Sequence, residues 1–252
     1  MSDISPTLIA KKSTLVTRDQ LREIPTPPPR GPRHLPVPHH TLVETLTGVL
    51  QEAGLQIAEE RFAVGKGGGR LFGVLKVRPV EGQALIGSVR PGQEFAIGLR
   101  SGNQGDLALK VAAGLNVVVC DNLVLAGSFL ALKKKHTIGL RLDAALREAV
   151  ERYVEQQVGV VEQTDAARQL PLTDDEAKLE IFNVFERRLL SPRLFPEVVA
   201  NYFTPAPGWT DCQGRHRFAL HNAFTRALRE SPPPVQFRAT AALAYLLHPS
   251  AN

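Results

Sequence analysis

Cysteine is almost missing from this chain of 252 residues: there are two, Cys120 and Cys212, far apart and without a CxxC spacing. That excludes a disulfide framework and a four-thiolate metal site, and it fits a reducing, cytoplasmic compartment. Long apolar runs are also missing. The longest is about six residues, Leu115–Cys120, interrupted by Asn116, whereas a membrane-spanning helix needs roughly 20. Lys11 and Lys12 have no apolar run behind them, so the start does not read as a secretory signal. Aromatics are sparse at 6%, with a single tryptophan, Trp209. What is abundant is aliphatic: hydrophobic residues make up 43% of the chain, enough for a substantial core.

The charge is modest, +5, but unevenly placed. From Arg61 to Arg141 twelve basic residues face only four acids, Glu81, Glu94, Asp106 and Asp121, a net +8 that leaves −3 for the remainder. A local excess of this kind attracts polyanions and says nothing of fold. The plainer reading is a solvated positive face.

Residues 1–38 read as a proline-rich extended tail. Seven prolines between Pro25 and Pro38 forbid helix interiors, and Pro27–Pro29 favours polyproline II. Thr17–Leu21 has room for one helical turn. Thr41 to Ala53 carries Leu42, Leu46, Val49 and Leu50 at helical spacing and stops at Gly54. The period then shortens. Leu55–Ala58 and Arg61–Val64 alternate, and Gly65-Lys66-Gly67-Gly68-Gly69 reads as a flexible hairpin tip. Leu71–Val77 is a strand. Ala84–Val89 and Glu94–Leu99 follow around Arg90-Pro91-Gly92. Leu107–Val111 and Leu115–Cys120 form a pair turning at Ala113-Gly114, and Leu123–Leu125 comes last. No helix interrupts these strands, which disfavours a parallel sheet.

Beyond His136 the pattern is helical. Leu142 to Val158 form one apolar face, and Thr173 with Glu176 makes a capping box for the next helix. Ser191-Pro192 starts a short helix toward Tyr202. Further helices run from His216 to Arg229 and from Phe237 to Leu247. The expected fold is α+β: an N-terminal helix, an antiparallel β-meander, a long helix and a C-terminal helical segment. Residues 39–140 form the basic sheet region and 141–252 the helical region packed on it.

The chemical motifs are mostly negative. A phosphate-binding P-loop needs a lysine after its last glycine, then Ser or Thr, and a following helix; Gly65–Arg70 has none of these. No G-x-S-x-G elbow occurs. His39 or His40 with Glu44 lacks further ligands for zinc. His216 and His221 are spaced for different helix faces and read as cap or packing residues. Asp174-Asp175-Glu176 is explained by helix capping. No cofactor is expected and no catalytic residue is assigned. The candidate site is a set of phosphate contacts: Lys66 and Arg70 at the glycine tip, Arg100 on a strand, and Lys133, Lys134 and Lys135 before the long helix. Trp209, Phe203 and Tyr202 beside Arg215 and Arg217 form a stacking patch, or else pack in the core.

Several segments together resemble a known family. Ala96-Ile97-Gly98-Leu99-Arg100-Ser101, Ala108–Gly114, Val118-Val119-Cys120-Asp121-Asn122-Leu123 and Lys135-His136-Thr137 are similar to the phage/plasmid-like family catalogued as domain of unknown function 932. Leu220–Thr225 resembles its closing helix, and Ser191-Pro192 also fits; the likeness covers most of 40–245. It implies mobile-element biology and supplies no catalytic residues. The element order is also similar to that of single-strand annealing proteins of the Rad52-like type, which use basic grooves on rings; order alone does not establish function. The expectation is a nucleic-acid-binding protein whose partner is single-stranded DNA, with a second copy of the chain as a further partner and no membrane. The other readings are a structural or regulatory protein-interaction module and an enzyme with an unrecognised site.

Overall fold

The computed structural model describes residues 13–80, 93–117, 122–209, 213–229, 231 and 233–247. The expected strand 84–89 and its turn at 90–92, the first twelve residues, Cys120 and Cys212 lie outside these.

The fold is α+β, with one antiparallel sheet whose strands lie in chain order. Strand β1 (Ser13–Val16) is the edge. A one-turn helix α1 (Arg18–Glu23) follows, capped reciprocally by Thr17 and Gln20. Helix α2 (His39–Glu52) leads into β2 (Leu55–Gly65), β3 (Arg70–Pro79), β4 (Gln93–Gly102), β5 (Leu109–Val117) and β6 (Asn122–Lys134). Helix α3 (Leu142–Gln169) then starts the helical part, continued by α4 (Asp174–Glu186), α5 (Phe195–Phe203), α6 (Arg217–Ala227) and α7 (Pro233–Leu243).

The strands are longer than their sequence pattern suggests. Ala113-Gly114 is no turn: β5 runs straight through it, and the irregularity is taken up as register shifts against β6 at Ala112 and Gly114. The last strand is not a short Leu123–Leu125 but thirteen residues ending at Lys134. Likewise Leu55–Ala58 and Arg61–Val64 are one strand, with a bulge between Ile57 and Glu59. The extra residues are Ala58 in β2 and, opposite Val111–Gly114, residues of β6; bulges of this kind keep pairing while bending the strand.

Residues 13–38 carry more structure than their proline count suggests. Leu21 is fully buried, and Arg18 binds Glu60 on β2 and Thr47 on α2. The prolines act only from residue 25 onward, where the chain has no regular element until α2 apart from a single bridge at His34. Among the described residues two large apolar cores stand out. One lies between a sheet face and α2 and α3, with Leu46, Leu50, Leu75, Leu99, Leu146 and Tyr153 at its centre. The other lies among α4 to α7, around Ile181, Val184, Tyr202, Phe224 and Leu243. Helix α6 joins them, giving Phe218 to the first and Leu220 to the second. Thr173 and Glu176 form the expected capping box on α4, whereas Ser191 makes no side-chain cap.

Candidate nucleic-acid interface

Because the strands run up and down in order, every second turn falls at the same sheet end. The β2–β3 tip, the β4–β5 turn and the end of β6 therefore meet. The tip is held in place and is not a loose arm. Lys66, Gly67 and Gly68 all adopt left-handed backbone conformations, φ 54°, 62° and 83°, where glycine carries no steric cost. The Gly68 carbonyl accepts a hydrogen bond from His39 Nε2 at 2.7 Å, and a Cβ on Gly68 would lie 2.9 Å from Ile24 Cγ2. In the next turn, Asn103 N–H donates to the Gly69 carbonyl at 2.9 Å. Buried Asn103 also ties down the proline segment: its Oδ1 accepts from Val37 N–H at 2.9 Å and its Nδ2 donates to the Val37 carbonyl at 2.7 Å. Residues 33–35 then pair with 136–138, through Leu35 N–H to the His136 carbonyl and Ile138 N–H to the Arg33 carbonyl, both 3.2 Å.

This end is strongly cationic. Lys66 Nζ and Arg70 both bind Asp106 Oδ2, at 2.8 Å each. Burial pushes the Asp106 carboxyl up, but the two cations more than reverse this and hold it below the usual range. Beside that clamp, the register places Arg100 opposite Lys110 and Lys110 opposite Lys133. Like charges directly opposite one another destabilise a sheet, and the groups feel it. Arg100 is pushed down by burial and then by Arg70; Lys110 is pushed down by burial and then by Arg100 and Lys133. Arg100 Nε is buried and has no partner among the described residues. Cations crowded in this way are stabilised by any anion brought near them.

The six residues named from the sequence divide into three groups. Lys66 and Arg70 flank Asp106. Arg100 and Lys133 share the cross-strand row. Lys134 sits opposite Leu109, so strand alternation turns it away from Lys133, and Lys135 lines a cleft of about 670 Å³ with Arg30, Arg33 and His34. The lysine triplet is therefore not one patch. Lys110, the centre of the row, is distinguishable from other strand lysines only once the register is known. Arg30 and Arg33 were hidden in a segment that reads as tail.

A Ser–His pair occurs here as well, Ser101 Oγ and His136 Nε2 at 3.1 Å. Ser101 is fully buried and no carboxylate bonds to His136 among the described residues, so the pair lacks both access and an orienting acid. Trp209 is not a free stacking surface: the Arg226 guanidinium lies 3.2 Å from its ring centroid, and the ring packs against the first core. No helix among the described residues is long and apolar enough to cross a membrane. The chain matches no family model, no curated protein and no solved structure.

Proposed function

We propose that this chain is a nucleic-acid-binding protein of phage or plasmid type, acting without catalysis, that holds single-stranded DNA on the cationic end of its sheet. The observation that carries the reading is the row Arg100–Lys110–Lys133, backed by Lys66, Arg70 and Lys135. Strands lie about 4.8 Å apart, so the row spans about 10 Å, a width suited to one phosphate backbone. Contacts of this type are sequence-independent and release counterions. The mobile-element assignment rests on the family resemblance of 96–101, 108–114, 118–123, 135–137 and 220–225. Gel filtration with and without a labelled single-stranded oligonucleotide tests the reading and reports assembly together with ligand. Co-elution at low salt, lost in a Lys133–Lys135 triple alanine variant, supports it. Failure to co-elute at low salt refutes it.

One observation favours a second reading, a protein-docking module. Leu179 and Phe182 on α4 are 60% and 58% exposed, and Phe195, 45% exposed, packs edge-on to Phe185 of the same helix at 5.3 Å. A partner that survives nuclease treatment and is lost on Phe182→Glu would support this reading.

A further inference from the structure

The cleft beside the cationic row contains two imidazoles with unused donors. His34 Nδ1 accepts the Arg30 backbone N–H at 3.1 Å. A ring nitrogen that accepts carries no hydrogen, so the neutral ring is protonated at Nε2. That Nε2 is buried and has no partner among the described residues. His136 arrives at the same condition by a different route. Its Nε2 faces Ser101 Oγ at 3.1 Å, and the fully buried Ser101 hydroxyl has no other partner among the described residues. Ser101 donates to His136 Nε2 in the tautomer that carries the ring hydrogen on Nδ1. The His136 hydrogen then sits on Nδ1, which is also buried and unpartnered, in a residue only 5% exposed.

Buried N–H groups without acceptors are rare and costly in native proteins. The two here belong to residues that line one cleft, and each nitrogen is itself closed to solvent, so an oxygen-rich ligand meets it only when a side chain of the lining shifts. The charges agree. Arg30, Arg33 and Lys135 line the same cleft, are exposed, and make no ion pair among the described residues. The acid in the lining, Asp106, is already held by Lys66 and Arg70.

We infer that this cleft receives a phosphomonoester, the terminal phosphate of a nucleic-acid strand lying along the Arg100–Lys110–Lys133 row. The inference rests on the proposed nucleic-acid function and names the group which that function would recognise. An internal phosphodiester has one charge and two free oxygens. A terminal phosphate has three free oxygens and a charge between about −1.5 and −2 at neutral pH. Three exposed cations match the second better than the first. The cleft is also larger than a phosphate group needs, and its volume of about 670 Å³ leaves room for the terminal nucleotide. Lys135 lies two residues beyond Lys133, so the cleft continues where the row ends.

The test is fluorescence anisotropy with one oligonucleotide sequence in three forms: 5′-phosphate, 3′-phosphate and unphosphorylated. Inorganic phosphate and a nucleoside monophosphate serve as competitors. One phosphorylated form should bind roughly tenfold more tightly than the unphosphorylated form. Arg30→Ala/Arg33→Ala, both exposed side chains, should abolish that preference, whereas Lys110→Ala should weaken all three forms alike. The imidazole resonances of His34 and His136 should shift with the preferred form only. Equal affinity for the three forms overturns the inference and leaves the nucleic-acid reading standing. A nucleoside monophosphate that binds as tightly as the strand overturns the strand-end assignment. Absence of binding by every oligonucleotide overturns both readings.

Discussion

His136 and His221 are neutral for the same reason, burial, and their consequences run in the same direction. Burial, followed by the charges of His34 and His39, brings His136 down to about 4, and burial alone brings His221 down to about 3. In the unfolded chain both return to an ordinary value near 6.5. The unfolded state then binds protons first as pH falls, so the stability that these groups contribute is complete above about 6.5 and is lost as pH drops toward 4 and 3. Thermal unfolding should show a level Tm above neutrality and a steady fall between pH 6.5 and 4. Neither nitrogen of His221 has a partner among the described residues, so His221→Leu should flatten part of that fall without lowering the Tm at pH 7. A Tm independent of pH over this range would contradict the burial argument. At this scale the sequence was informative where chemistry is local. His216 read as a cap or packing residue, and its Nδ1 does accept from Ala219 N–H at 3.0 Å. Lys110 was not legible, because its neighbours Arg100 and Lys133 reach it across strands and only the register brings them together.

At the scale of elements, the β4–β5 turn depends on a missing side chain. A Cβ on Gly102 would lie 2.7 Å from Leu107 Cβ, 2.9 Å from Asp106 Oδ1 and 3.1 Å from the Leu107 backbone nitrogen. Backbone cannot withdraw as a flexible side chain can, so Gly102→Ala should destabilise the fold by about 1–3 kcal/mol, as overpacking does. Denaturant unfolding measures it, and an unchanged midpoint would show that the turn is looser than described. Helix α4 offers a simpler case. Thr173→Ala removes a cap whose hydroxyl accepts from Glu176 N–H at 3.2 Å, and should cost about 1 kcal/mol in the same assay. That box was readable in advance because capping needs only residues three apart. The strand boundaries were not, because Gly and Ala inside β5 read as a turn, and only the unbroken pairing with β4 shows that the strand runs on, with the extra residues on β6.

Across the whole molecule, the count of basic residues between Arg61 and Arg141 anticipated a positive region. The meander explains why it is concentrated: it folds Lys66, Arg70, Arg100, Lys110 and Lys133 to one sheet end and leaves Asp106 there as a counter-charge. Asp106→Asn removes that counter-charge, frees Lys66 and Arg70, and raises the net charge from +5 to +6. Affinity for single-stranded DNA should rise at low salt, as anisotropy would show; a fall would mean that Asp106 acts mainly by positioning the two cations. The central claim, that phosphates are held by the cross-strand row, is tested most directly by the salt dependence of single-stranded DNA binding. The parent and an Arg100→Ala/Lys110→Ala/Lys133→Ala variant would be titrated over a range of salt concentrations. The account predicts that log K falls linearly with log salt for the parent, and that losing three phosphate contacts reduces the slope by about 2, at roughly 0.7 per contact on a single strand. A parent that does not bind at low salt, or a variant with the parent's slope, would contradict it.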